Sequence, residues 1–123
     1  MENLDKKEIL NTFIKAEFVS QIANAYYSDY KRKISEHLEG LGFKHKKVNS
    51  RVRTSRRFEI YITFHISKNK YDLDNLLKRF LDILRHYLGD DDINIWKISA
   101  LKTSQPPIGI KVRVIEYWSK IFL

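Results

Sequence analysis

Residues 57–66, RFEIYITFHI, alternate strictly between apolar and polar positions. Phe58, Ile60, Ile62, Phe64 and Ile66 share one face, and Glu59, Tyr61, Thr63 and His65 share the other, the period-two signature of a strand packed on one side. From Leu73 the period lengthens. Leu73, Leu76, Leu77, Phe80, Leu81, Leu84 and Leu88 form one helical stripe with Asp74, Lys78 and Arg85 off it, and Gly89 is a natural stop. Ile93 to Lys102 reads as another strand, TSQPPIG as a turn, and the alternation of Ile110, Val112 and Val114 as a returning strand. Earlier, Ile22, Ala23, Tyr26, Tyr27, Tyr30, Ile34, Leu38 and Leu41 form a helical stripe ending at Gly40 or Gly42. Ile9 to Val19 fits either period: Leu10, Ile14 and Phe18 suit a helix, while Leu10, Thr12, Ile14, Ala16 and Phe18 suit a strand. The order (β or α)-α-β-α-β-β predicts a two-layer α/β domain in which two main helices cover a small mixed sheet of three or four strands.

At 123 residues, residues 1–123 are expected to form one domain around one core, and 43% hydrophobic content is that of a folded chain. No cysteine is present, which excludes a disulfide scaffold and a cysteine-ligated zinc site and is compatible with a cytoplasmic location. No apolar run approaches the roughly 20 residues that cross a bilayer, and the polar, acidic start is not that of a signal peptide, so no membrane association is expected. The net charge of +8 favours a polyanionic partner. Between Gly40 and Phe58 there is no acid, yet Lys44, Lys46, Lys47, Arg51, Arg53, Arg56 and Arg57 all fall there. Such a run is either a solvated loop or a surface whose charges phosphates neutralise.

Against this excess of cations, two clusters of acids stand out. Asp72 occupies a helix N-cap position and Asp74 the first turn, where the helix dipole alone would favour them. Asp90, Asp91 and Asp92 follow the helix C-terminus, where the dipole favours cations instead. A divalent cation would relieve that repulsion, and a hard ion such as magnesium takes oxygen ligands. Lys78, four residues after Asp74, is either an ordinary intrahelical ion-pair partner or a cation that steadies charge on an attacked phosphodiester. His37, His45, His65 and His86 have no metal-ligand spacing, and there is no glycine-rich phosphate loop, nucleophilic serine or cysteine motif, or other sign of a small-molecule cofactor. Metal-assisted cleavage of a nucleic-acid backbone is the chemistry these residues suggest together.

The stretches DLDNLLKRFLDIL and DDINIWKISALK, followed by a terminal strand, resemble the RusA family of Holliday-junction resolvases over about residues 57 to 117. The resemblance implies a magnesium-dependent homodimer, with manganese able to substitute, that cuts branched DNA in recombination and repair. It implies metal-binding acids at Asp72, Asp74 and Asp92, a catalytic lysine at Lys78, and a matching strand-end lysine at Lys102. It also favours a strand over a helix at about residues 9 to 18. Two departures are visible. EFVSQIANAYY stands where the family has a loop rich in proline and asparagine, and Lys68 and Lys70 stand where arginines often precede the first acid. Lys68, Lys70 and Lys102 therefore join the basic run of residues 44–57 as expected DNA contacts. A non-catalytic branched-DNA binder and an RNA-binding module remain alternatives. The helix from Leu73 to Leu88 also raises a geometric problem, because 16 residues span about 24 Å. Asp92, just past its end, cannot join Asp72 and Asp74 on one metal unless the helix breaks or a two-fold partner supplies it.

Overall fold

The computed structural model describes residues 4–18, 24–46, 56–89 and 94–119. Among these the elements run β1 (Leu4–Ile14), α1 (Asn24–Gly40), β2 (Arg57–His65), α2 (Leu73–Leu88), β3 (Ile95–Thr103) and β4 (Gly109–Ser119). The strands form one mixed sheet in the order β1-β4-β2-β3. β4 pairs antiparallel with both β1 and β2, while β2 and β3 run parallel, as a strand–helix–strand crossover through α2 requires. The expected α/β architecture is therefore present, and the ambiguous N-terminal segment is a strand as far as Ile14, residues 15–18 continuing outside it and Val19 lying outside the described residues.

The strict alternation in β2 becomes burial. Phe58, Ile60, Ile62 and Phe64 are buried, and they join Leu10 and Ile14 of β1 and Ile110, Val112 and Val114 of β4 in one core. Tyr30, Ile34 and Leu38 of α1 cover that face, together with Leu76, Phe80, Ile83, Leu84, Tyr87 and Leu88 of α2. The α2 stripe is rotated slightly from the sequence reading, since Leu73, Leu77 and Leu81 are only partly buried while Ile83 and Tyr87 are enclosed. Leu41, counted in the α1 stripe, lies beyond the helix end and is exposed. No helix among the described residues is long and apolar enough to cross a membrane.

Two glycines are required by their surroundings. Gly89 ends α2 with φ 76°, its N–H donating to the Arg85 carbonyl at 2.9 Å, so a left-handed cap closes the helix. A Cβ on Gly109 would lie 2.4 Å from the Ile14 carbonyl oxygen and 2.6 Å from the Phe13 ring, so only glycine lets β4 start this close to β1. α2 itself is continuous across its 16 residues, which fixes its two ends at opposite ends of the sheet.

Phe80 is fully buried and meets Phe64 edge to face, with ring centroids 6.1 Å apart, where α2 crosses the sheet. Phe80→Ala should cost about 3–5 kcal/mol of stability in urea unfolding. A loss below about 1 kcal/mol would mean that α2 is not docked through this contact.

Candidate active site

The loop between β2 and α2 is fastened both to β3 and to the segment that follows β1. The Ile66 N–H donates to the Thr103 carbonyl at 2.9 Å, continuing the β2–β3 pairing into the loop. The Glu17 carboxylate, just beyond β1, accepts from both the Ser67 N–H at 2.7 Å and the Ser67 hydroxyl at 2.6 Å. Lys102, near the end of β3, donates to Asn69 Oδ1 at 2.7 Å and to the Tyr71 carbonyl at 3.1 Å. The Tyr71 ring, finally, packs edge to face on Phe18, with centroids 4.9 Å apart. These contacts fix the peptide that leads into Asp72.

Asp72 is extended, with φ −66° and ψ 148°, and its carbonyl accepts the first helical bond from the Leu76 N–H at 3.1 Å. Its carboxylate, however, makes no capping hydrogen bond. An aspartate at this position ordinarily binds the backbone N–H two or three residues on, for about 0.5–2 kcal/mol. Asp74 and Lys78 follow on α2, and all three side chains are exposed. Among the described residues, Asp74 and Lys78 do not form the intrahelical ion pair that their spacing allows. Neither structural explanation offered by the sequence, cap or ion pair, is thus in use here.

Basic groups crowd the same end of the sheet. Lys68 and Lys70 are exposed in the loop, and the Lys102 ammonium sits on the carbonyl of the residue before Asp72. An ammonium carries three donors, and Lys102 spends two of them on the loop. A pocket of about 160 Å³ opens beside it, lined by Ile66, Asn69, Lys102, Thr103 and Ser104. Carboxylate oxygens near several cations form a set that suits a hard divalent ion together with a phosphate. Among the described residues, no three His, Asp or Glu come together in a metal-holding group.

The other expected contacts are spread across the molecule. Lys44 and Lys46 are exposed at the far end of α2, where the Lys46 N–H donates to the His86 carbonyl at 2.7 Å. The stacked rings of His45 and His86, with centroids 4.7 Å apart, also mark this end. Arg56 is half-buried and bonded to Glu116 at 2.6 Å. Arg57 lies over the Trp96 ring, 4.1 Å from its centroid. Lys47, Arg51, Arg53, Asp90, Asp91 and Asp92 lie outside the described residues.

Glu17 and Asn69 were not legible as site residues in the sequence, because both act through contacts that only the fold creates. Nor did the sequence single out the sheet face opposite the helices. There Lys97 and Arg113 lie over Tyr61, 5.4 and 5.7 Å from its centroid, and Arg113 is paired with Glu8. The Tyr61 hydroxyl, and Glu59 beyond it, hold the Lys97 ammonium above the ordinary lysine range. Lys102→Met should free the loop without unfolding the chain. Amide exchange should speed up at residues 67–71 while global stability changes by less than about 1 kcal/mol. Unchanged exchange there would show that Lys102 does not hold the loop.

A comparison with curated proteins finds no match. A comparison with models of protein families matches residues 12–115 to Endodeoxyribonuclease RusA. The matched span contains the fastened loop, α2 with both acids and Lys78, and β3 with Lys102. The match covers most of the 123 residues, and the chain belongs to the RusA family of endodeoxyribonucleases.

Proposed function

We propose that this chain is a structure-selective endonuclease that resolves four-way DNA junctions by magnesium-dependent phosphodiester hydrolysis, working as a homodimer in recombination and repair. The observation that carries the reading is the pair of uncommitted carboxylates, Asp72 and Asp74, at the head of α2. A purely structural helix start would use Asp72 as a cap, and a purely DNA-binding surface gains nothing from acids that face phosphates.

Asp72 and Asp74 would hold the magnesium ion, for which manganese can substitute, with Asp92 as the third carboxylate and substrate phosphate completing the set. When bound, the ion supplies Lewis-acid stabilisation at the scissile phosphate. Lys78 sets a positive charge one helical turn from Asp74, where it opposes the negative charge that grows on phosphorus during attack. Lys102 keeps the loop ahead of Asp72 in place through Asn69 and Tyr71, so that the first carboxylate is presented in a fixed position. Lys68 and Lys70 would meet the phosphates on either side of the cut, while Lys44, Lys46, Lys47, Arg51, Arg53, Arg56 and Arg57 would carry the DNA arms. Such contacts release counterions and make binding strongly salt-dependent.

Asp92 must come from a second chain in this reading. It is two residues from Asn94, so extended backbone carries it no more than about 7 Å from that end of the sheet. Ile95, next to Asn94, is seven residues from Lys102 along β3, and those residues span roughly 23 Å. Ligand oxygens sit about 2 Å from magnesium. A two-fold dimer resolves the mismatch and also provides two sites for two symmetric cuts.

The test is a labelled synthetic four-way junction incubated with purified protein and magnesium, with the nicks mapped on each strand. Paired, symmetric nicks are expected, and tight binding without nicking at any magnesium or manganese concentration would instead make this a non-catalytic DNA binder. Asp74→Asn should abolish cleavage yet leave junction binding intact or stronger, because a metal ligand and a repulsive charge are lost together. Lys78→Ala should lower turnover by about 10²-fold or more with little change in affinity. Full turnover in that variant would remove Lys78 from the chemistry.

A further inference from the structure

Both helices lie on one side of the sheet, since Tyr30, Ile34 and Leu38 of α1 and Phe80 and Leu84 of α2 share one core with the inward residues of β1, β2 and β4. Among the described residues, no helix covers the other side. Strand register lays out what that side presents. Asn11, Arg113, Tyr61 and Ser99 form one row across all four strands, and Phe13, Lys111, Thr63 and Leu101 form the next. A third row brings Glu8, Ile115, Glu59 and Lys97 together. A face that only meets water needs polar groups. This one also carries rings and an excess of cations.

Lys6, Lys97, Lys111 and Arg113, all exposed, stand on this face against Glu8 and Glu59. Both acids are engaged in the face's own bonds. Glu8 accepts from Arg113 and from the Asn11 amide at 3.3 Å, and Glu59 accepts from the Tyr61 hydroxyl at 3.0 Å. Arg113 spends only its Nε–H on Glu8, and a guanidinium carries five donors. Lys111 donates to the neutral Asn11 Oδ1 at 2.6 Å, which leaves its charge uncompensated. Rings lie among these cations. Tyr61 is half-buried at the centre of the face, with Lys97 and Arg113 5.4 and 5.7 Å from its centroid. Phe13 and His65 meet edge to face, centroids 5.5 Å apart, in the space that Gly109 leaves by having no side chain. Rings interleaved with cations, on strands about 4.8 Å apart, make a surface on which bases stack while phosphates are neutralised.

We propose that this face binds an unpaired strand of DNA, its bases stacked on Tyr61 and on the Phe13–His65 pair and its phosphates met by Lys97, Lys111 and Arg113. The surface is separate from Asp72 and Asp74, because α2 lies on the other side of the sheet, and it stands or falls apart from the nuclease reading. An unpaired strand suits the face better than a duplex does. Among the described residues no helix or hairpin rises from it to enter a groove, and bases inside a duplex hide the surfaces on which rings stack. A guanidinium plane also accepts a base, so Arg113 extends the platform beyond the Tyr61 ring. A second copy of this chain would set the same excess of cations against it, and like charges repel across an interface. DNA is the polymer on which the family of this chain acts.

The test is fluorescence anisotropy of a labelled oligo(dT) of about 12 nucleotides with the full chain, in EDTA so that no divalent ion takes part. An abasic oligomer of equal length should bind about tenfold more weakly or worse, and Tyr61→Leu should weaken oligo(dT) binding about tenfold. Lys97→Gln, Lys111→Gln and Arg113→Gln together should lessen the salt slope by about 2, since each phosphate contact on a single strand contributes about 0.7. Amide shifts of the unaltered chain locate the strand without any variant, so the result does not depend on how a variant folds. They should move with oligo(dT) at residues 59–65, 97–101 and 109–115 rather than at residues 68–78. Shifts confined to the Asp72 end overturn the proposal, as does equal binding of the abasic oligomer. Competition that is as strong from duplex DNA, oligo(U), polyglutamate or phosphatidylserine vesicles as from unlabelled oligo(dT) overturns it too.

Discussion

Parallel pairing of β2 with β3 governs the rest of the molecule. Two parallel neighbours cannot be joined by a turn, so the chain must travel the full length of the sheet before starting the second strand. α2 makes that return in one unbroken run, and its buried side, centred on Phe80, holds it on the sheet. As a result, the head of α2 and the end of β3 meet at one edge of the sheet, while the tail of α2 and the start of β3 meet at the other. Lys102 and Asp72 are neighbours for this reason, and Gly89 and Asn94 are distant from both.

Charge follows the same division. The end that carries Asp72 and Asp74 also gathers Lys68, Lys70, Lys78 and Lys102, so each carboxylate has cations near it without being bound to one. Surface ion pairs are worth little in water, about 0–1 kcal/mol, and forming them here would add little stability. In the nuclease reading proposed above, leaving them unformed would keep the acids available to a metal ion and the lysines available to phosphate. Elsewhere the chain does satisfy its charges. Arg56 is bonded to Glu116, Arg113 to Glu8, and Arg32 to Glu36, with the Arg32 and Lys33 cations holding Asp29 below the ordinary carboxylate range.

How much of this the sequence revealed depended on how regular each element is. α2 was legible to the residue, because its apolar period is strong and Asp72 and Gly89 mark its ends. β2 was legible because one of its faces is buried and the other is not. The segment from Ile9 was ambiguous because Leu10, Ile14 and Phe18 recur at a spacing that suits a helix as well as a strand, and the first half of β1 is charged, with a register shift between Glu8 and Leu10. β3 was recognisable as a strand, but its edge position was not, because strand order is set by tertiary pairing and nothing local marks Ile98 and Leu101 as the exposed residues they are in the fold. The acids and Lys78 were visible as a motif. Their lack of a cap or ion pair was not, nor was the fastening by Glu17, Asn69 and Lys102, which joins segments 30 to 50 residues apart.

The central claim is that each cutting site is built from two chains. It is tested most directly by co-expressing an Asp72→Asn, Asp74→Asn double variant with an Asp92→Asn variant, purifying the mixed dimer, and assaying it on a four-way junction with magnesium. Each variant alone should be inactive. If sites are shared, the mixed dimer has one site in which all three carboxylates are intact, and it should nick one strand of the junction. If each site lies within one chain, both sites of the mixed dimer are broken, and a mixture that never cuts would contradict the account.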